Sequence, residues 1–152
     1  MKIFKILLLI SIFSLSGCLT TKVNLDVTSS DNLNLNKFDE PLPVVLKIYQ
    51  LTDIQAFNNA TYEQLWKADK SVLANSLVTV EEKTINPSQI TNISFEQSEQ
   101  AKYIAMVALF RDIEGGKWRT SFELSNGYVK IPTSLDIALN KNSIVILGAE
   151  ED

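Results

Sequence analysis

Residues 22–28 have the sequence KVNLDVT, in which polar and apolar side chains alternate strictly. Successive side chains of a β-strand point to opposite faces, so Val23, Leu25 and Val27 would share one face. The polar residues would share the other. This period of two predicts a strand with one face in a hydrophobic core and the other in solvent.

Seven further segments have strand character, and short turn sequences separate most of them. The segment 103–110 is apolar throughout, which is typical of a strand that is buried on both faces. Turn residues occur at 86–88, 115–116, 125–127 and 140–142. Short strands at this spacing predict an all-β fold, a sandwich of two sheets. The seven segments are 44–51, 77–85, 91–96, 103–110, 118–124, 134–139 and 143–147.

The segment between the second and third predicted strands has a helical pattern instead. Thr61 and Gln64 have the spacing of a capping box, and Tyr62, Leu65 and Trp66 follow a helical apolar stripe. An aromatic side chain at this spacing belongs more often to a core than to a binding site. We therefore predict a short helical insertion with Trp66 packed inside.

The N-terminus has the features of an export signal. Lys2 and Lys5 precede an apolar run at 6–13, which is too short to span a bilayer, since that needs about 20 apolar residues. The sequence LSGC at 15–18 resembles the bacterial lipobox. It predicts a signal peptide at 1–17, acylation of Cys18 and a lipid-anchored periplasmic domain at 18–152. In such lipoproteins, an aspartate directly after the acylated cysteine typically causes retention in the inner membrane. This chain has Leu19 at that position, so the resemblance implies the outer membrane. The alternative is a chance cysteine near a cleavage site.

The composition argues against several classes of function. Cleavage before Cys18 would leave 12 basic and 18 acidic residues, a net charge of −6, which disfavours nucleic acid as a partner. The chain has no histidine, and its single cysteine is Cys18, so the usual general base, zinc ligand and thiol nucleophile are missing. The adjacent Glu81 and Glu82 would point to opposite faces of a strand and could not converge on one substrate. We expect no catalysis, no cofactor and no metal.

The segment 30–43, between the first two predicted strands, is long for a loop within a compact domain. It is rich in Asn, Asp and Ser, with Leu33, Leu35 and Phe38 among them. Loops of this length are usually functional or disordered. Either the three apolar side chains fold back to cover the end of the sandwich, or they bind a partner. The residues alone slightly favour the first alternative.

An ordered series of motifs covers most of residues 42–124. PVVLKIYQL at 43–51 is followed by AKYI at 101–104, VALFRD at 107–112 and WR at 118–119. Phe57, Ala60, Asp69, Leu73 and Pro87 lie in register between them. Together with the lipobox, this series resembles the TssJ family of type VI secretion lipoproteins. The resemblance implies a transthyretin-like β-sandwich with a small helical insertion, which agrees with the strand count.

The resemblance also implies a role on the periplasmic face of the outer membrane. Such lipoproteins bind the periplasmic C-terminal region of TssM, an inner-membrane protein, and complete the TssL–TssM membrane complex. The loop between the first two strands carries most of that contact. Family members tend to start this loop with Asn-Pro-Asp and end it with Gly-Arg-Pro. Only Asn36 and Pro41 match here, so contact residues cannot be transferred one by one.

We therefore base the predicted contacts on physical chemistry. Phe38, flanked by Leu33 and Leu35, would be an apolar anchor inside a polar rim. Arg111 and Trp118 would serve structure, through an Arg–Asp contact and a packed indole. Two alternatives stay open: a periplasmic chaperone or binding module that offers a sheet edge, and a hydrolase built on carboxylates. The predicted partner-binding residues are Leu33, Asn34, Leu35, Asn36, Lys37, Phe38 and Asp39.

Overall fold

A computed structural model of the protein describes residues 21–125 and 131–148. The predicted signal peptide, Cys18 and the acidic C-terminal end lie outside these residues. The eight strands are β1 Lys22–Ser29, β2 Val44–Leu51, β3 Leu77–Ile85, β4 Ile90–Glu96, β5 Tyr103–Ala108, β6 Arg119–Glu123, β7 Thr133–Asn140 and β8 Ser143–Ile146. Three short helices follow β2: α1 Gln55–Asn59, α2 Tyr62–Lys67 and α3 Asp69–Leu73.

The strands form two four-stranded sheets. Sheet A has the order β4-β1-β7-β8, and sheet B has the order β3-β2-β5-β6. The β1–β7 pair is parallel, and the other described pairs are antiparallel. The predicted two-sheet sandwich is thus confirmed, and both ends of each predicted strand lie within two residues of the ends of an observed strand. The largest difference is at β5, where the chain bends after Ala108 because the Phe110 N–H donates to the Ala108 carbonyl.

The main core lies between the two sheets. Val23, Leu25 and Val27 of β1 are fully buried in it, as the alternation predicts. Leu46 and Ile48 of β2 face them from sheet B. Burial of this apolar face is the main driving force that brings the two sheets together, since each buried aliphatic side chain stabilises by roughly 1.5–3 kcal/mol.

A second apolar cluster covers the outer face of sheet B. Tyr49 of β2 packs here with Phe57, Leu65 and Leu73 of the helical insertion. Val107 of β5 belongs to the same cluster, so β5 is buried on both faces, as its uniformly apolar sequence predicts. The helices therefore act as a cover for the two central strands of sheet B.

Local sequence explains where the insertion begins and how it is held. Thr61 and Gln64 form the predicted capping box: the Gln64 N–H donates to Thr61 Oγ1, and the Thr61 N–H donates to Gln64 Oε1. The Arg119 guanidinium of β6 donates to the carbonyls of Phe57, Asn58 and Ala60, each at 2.8 Å. These bonds hold the C-terminal end of α1 against β6, where a helix leaves its last carbonyls without regular partners.

The position predicted for Trp66 is wrong. Its side chain is 51% exposed, whereas Leu65 is fully buried. Helix α2 lies on the surface of sheet B. The sheet covers the side of the helix that carries Leu65, and the side that carries Trp66 faces solvent. Helical spacing gives the relative directions of side chains but not which direction the sheet will cover.

The start of the described chain and the loop 30–43 lie at opposite ends of strand β1. Residue 21 leads into β1 at one end, where Lys22 pairs with Glu96 and Val23 with Thr133. The loop 30–43 leaves β1 at the other end, beside the β7–β8 turn. Eight residues of β1 separate the two ends by roughly 26 Å. Thr21, where the described chain begins, and the long loop therefore lie at opposite ends of the sandwich.

Candidate docking surface

The base of the loop 30–43 is part of the fold. Leu33 is fully buried in the main core, and its carbonyl accepts from the Leu42 N–H. Asn34 is also buried; its Nδ2 donates to the Pro43 carbonyl, and its Oδ1 accepts from the Arg111 N–H. These two predicted partner-binding residues therefore hold the loop in place and are not on its surface.

The tip of the loop is a tight turn that Asn36 organises. Asn36 Oδ1 accepts from the backbone N–H groups of Phe38 at 2.8 Å and Glu40 at 3.1 Å. Its Nδ2 donates to the Glu40 carboxylate at 2.8 Å. Asp39 has a φ of +59°, a left-handed conformation that Asp tolerates better than most residues. Asn36 thus shapes the loop and does not only supply a polar rim.

Phe38 stands at the apex of this turn, with 70% of its surface exposed. The Lys37 ammonium lies 4.8 Å from the centre of its ring, within cation–π range. Leu35 is half-buried, and Asp39 is exposed beside it. The structure thus brings together Leu35, Asn36, Lys37, Phe38 and Asp39 on one accessible turn. Leu33 lies in the core, and the buried Asn34 lies at the base of the loop, where it lines the cleft beside the turn.

A polar cleft of about 320 Å³ lies against this turn. Three cationic side chains line it, from Lys37, Arg111 and Lys141, together with the carboxylates of Asp39 and Asp112. The predicted contact between Arg111 and an aspartate is not among the ion pairs of the described residues; Asp112 Oδ1 accepts from the Glu114 N–H instead. No ion pair in the described part of the chain includes any of the three cations.

A second, more apolar groove of about 450 Å³ adjoins the cleft, and Arg111 lines both. Tyr62, Trp66 and Leu109 form most of its apolar wall. Tyr62 is fixed from behind: its hydroxyl donates to the Phe110 carbonyl at 2.6 Å, and its ring packs edge-on against Trp118. The packed indole predicted for Trp118 is confirmed. Sequence patterns gave no signal for this groove, because its residues come from β2, α2 and the segment after β5.

A buried polar cluster beneath α2 and α3 was also absent from the sequence predictions. Lys47 Nζ donates to Asp69 Oδ2 at 2.9 Å, and the Tyr49 hydroxyl donates to the same oxygen at 3.1 Å. Burial raises the pKa of Asp69, but the hydrogen bonds from Lys47, the Lys70 N–H and Tyr49 outweigh it and leave the pKa below its usual value. Burial raises the pKa of Tyr49 strongly, and the Asp69 carboxylate adds to the effect.

This cluster joins the helices to the sheet. Lys47 Nζ also lies 3.3 Å from the Trp66 carbonyl and 3.4 Å from the Glu82 carboxylate. Since Lys47 belongs to β2, these contacts fix the position of α2, and with it Trp66, relative to sheet B. We interpret the cluster as a structural fastening.

The described residues contain neither a metal-binding cluster nor a membrane-spanning helix. No group of three or more His, Cys, Asp and Glu side chains there is arranged to hold a metal ion. Within the same residues, no helix has the length and apolar character that a membrane span requires.

A family model and a solved structure both relate this chain to the same family of proteins. A family model described as type VI secretion lipoprotein (VasD, EvfM, TssJ) matches residues 21–142. The chain is similar to the type VI secretion lipoprotein TssJ1 of Pseudomonas aeruginosa, with 27% identity and a TM-score of 0.77 over 88% of this chain and 99% of that one. No curated protein sequence matches the chain significantly.

Two more distant structures share the fold. The Lip protein of Serratia marcescens, a membrane-bound component of the type VI secretion system, has 20% identity and a TM-score of 0.78, with 84% of this chain and 97% of that chain covered. A chain in the structure of the TssM C-terminal domain from EAEC has 21% identity and a TM-score of 0.69, with 84% and 98% covered. The family match spans most of this chain, and the protein therefore belongs to the type VI secretion lipoproteins of the TssJ family, with their transthyretin-like β-sandwich.

Proposed function

We propose that this protein anchors the periplasmic C-terminal region of TssM to the outer membrane within the type VI secretion membrane complex. Acylation of Cys18 would hold it on the periplasmic face of that membrane, after removal of residues 1–17. Membership of the type VI secretion lipoprotein family supports the proposal. So does the likeness in fold to a chain found in the structure of the TssM C-terminal domain.

The observation that carries the proposal is the exposed phenylalanine on a well-braced loop. Phe38 is 70% exposed on a turn that the Asn36 side chain holds through three hydrogen bonds. An ordered aromatic side chain surrounded by polar groups is typical of a binding hot spot. Because the turn is already formed, little conformational entropy would be lost when a partner binds. The proposed contact residues are Leu35, Asn36, Lys37, Phe38 and Asp39.

The position of the loop fits a protein that is anchored in one membrane and binds a partner from the other. The predicted lipid on Cys18 is three residues before Thr21 in the sequence, and Thr21 lies at the end of the sandwich where β1 begins. The loop is at the opposite end, roughly 26 Å away along β1. A partner that reaches across the periplasm from the inner membrane would therefore meet the loop first.

The chaperone alternative has less support. The family match gives it no support, and of the four edge strands one, β3 of sheet B, carries Glu81, Glu82 and Lys83 in its centre. Charged residues at an edge discourage the addition of a foreign strand.

The hydrolase alternative also has less support, and we propose no catalytic activity. Of the described carboxylates with a lowered pKa, Glu63 pairs with Lys67 on the surface and Asp69 is enclosed in the cluster under the helices. Neither faces a cleft with a second carboxylate.

The test is calorimetric titration of the full chain, purified in detergent, with the TssM periplasmic region from the same organism. We expect binding by the wild type and a loss of about 2 kcal/mol or more, roughly 30-fold in affinity, for Phe38→Ala. The double variant Leu35→Ala/Phe38→Ala should lose more. Ile131→Ala is the matched control, since Ile131 is 67% exposed but belongs to the opposite end of the sandwich.

The outcomes separate the role from the site. Equal binding by the wild type and the Phe38→Ala variant would retain the role and move the site away from the loop. No binding by the wild type would reject the role.

A further inference from the structure

We propose that the docking surface extends beyond the loop, and that it takes a partner segment in which a carboxylate stands next to a large apolar side chain. The carboxylate would enter the polar cleft beside Arg111, and the apolar side chain would enter the groove beside Trp66. The proposal rests on the function proposed above and names further contacts of the same interface.

The first step is the continuity of the two depressions with the loop. Arg111 lines both the cleft and the groove, and its backbone N–H donates to Asn34 Oδ1 at 2.8 Å. Asn34 in turn holds the base of the loop through Pro43. Loop tip, cleft and groove are therefore fixed relative to one another by hydrogen bonds within the fold.

The second step is the charge of the cleft. Lys37, Arg111 and Lys141 bring three positive charges to it, against two negative charges from Asp39 and Asp112. The whole chain has a net charge of −4, so a cleft whose lining cations outnumber its lining carboxylates by one stands out on this acidic protein. The cations form no ion pairs in the described part of the chain, although Lys37 contacts the Phe38 ring, and an incoming carboxylate would supply an anionic partner.

The third step is the exposure of Trp66. About half of its surface is open to solvent, although it lies beside the apolar walls of Tyr62 and Leu109. Trp is among the residues most enriched in binding hot spots, because it loses a large apolar area to the partner at a small cost in side-chain entropy. Lys47 holds the Trp66 carbonyl from beneath, so the side chain is presented from a fixed backbone.

The experiment uses the full chain in detergent and the TssM periplasmic region, with affinity measured at low and high salt. Trp66→Ala should weaken binding about 30-fold, and Trp66→Phe should retain most of the affinity. Arg111→Gln should weaken binding about 10-fold at low salt and reduce its salt dependence, because one screened charge pair is lost. Ile131→Ala and Lys102→Gln, both exposed at the opposite end, serve as matched controls. Thermal melts verify that each variant is folded.

The outcomes distinguish this inference from the function on which it rests. No binding by the wild type would reject the proposed function and the inference together. Wild-type binding that is lost in Phe38→Ala but unchanged in folded Trp66→Ala or Arg111→Gln would reject the inference alone.

Discussion

The fastening between the helical insertion and sheet B predicts the cost of removing one buried charge. In Asp69→Asn, the Lys47 ammonium keeps its burial but loses the carboxylate 2.9 Å away. The two side chains are only 7% and 12% exposed, so water cannot replace the lost interaction. Removing one partner of a buried ion pair costs about 3–5 kcal/mol. Glu82 and the Trp66 carbonyl still contact Lys47, so we expect the lower end, about 3 kcal/mol.

The assay is urea unfolding of the two proteins at neutral pH. A loss of about 3 kcal/mol would lower the midpoint by roughly 1.5 M if the slope is about 2 kcal/mol per M and equal in both. The control is Glu63→Gln, which removes the surface pair with Lys67. That pair is exposed to solvent and screened, so its loss should not shift the midpoint measurably.

The difference in unfolding free energy between the wild type and Asp69→Asn should also depend on pH. The pKa of Asp69 is lower in the folded protein than its ordinary value of 3.8, so the ionised carboxylate stabilises the fold fully above about pH 4. That contribution is lost as the pH falls through the lower folded-state pKa. The stability difference between wild type and Asp69→Asn should therefore shrink below pH 4. A midpoint equal to that of the wild type at neutral pH, or a difference that does not change in acid, would refute the reasoning.

Two further predictions concern the loop and the lipid. Asn36→Ala removes the three hydrogen bonds that shape the tip, so affinity for the TssM region should fall about 10-fold because the turn must then be ordered on binding. The urea midpoint should stay unchanged, and a lowered midpoint would show that the turn supports the fold instead. Cys18→Ser removes the proposed acylation site, so the protein should move from the membrane to the soluble periplasmic fraction on cell fractionation. Retention in the membrane would contradict the lipid anchor.

The strands were predictable because the pattern of polar and apolar residues in each one reflects which of its faces are buried. The alternation at 22–28 identifies a half-buried strand, and the apolar run at 103–110 identifies a strand covered on both sides; the structure confirms both. The capping box at Thr61 was predictable for the same reason, since both of its bonds join residues three positions apart. Local periodicity and local hydrogen bonds are enough for features of this kind.

Features that depend on distant contacts were not predictable. Lys47 is a polar residue within an apolar strand, and its partner Asp69 is 22 positions away on a helix. Leu33 and Phe38 are both apolar residues of one loop, yet the fold buries the first and exposes the second. The difference arises from the hydrogen bonds of Asn34 to Pro43 and Arg111, which turn the base of the loop inward. Trp66 is exposed because sheet B covers only one side of a six-residue helix.

The most direct test of the proposed function measures membrane attachment and partner binding together. Outer-membrane vesicles from cells that express this protein are mixed with the TssM periplasmic region and floated on a density gradient. We expect the TssM region to float with vesicles that carry the wild type, but not with vesicles that carry equal amounts of Leu35→Ala/Phe38→Ala. A TssM region that stays at the bottom of the gradient with wild-type vesicles, or floats equally with vesicles lacking the protein, would contradict the proposed function.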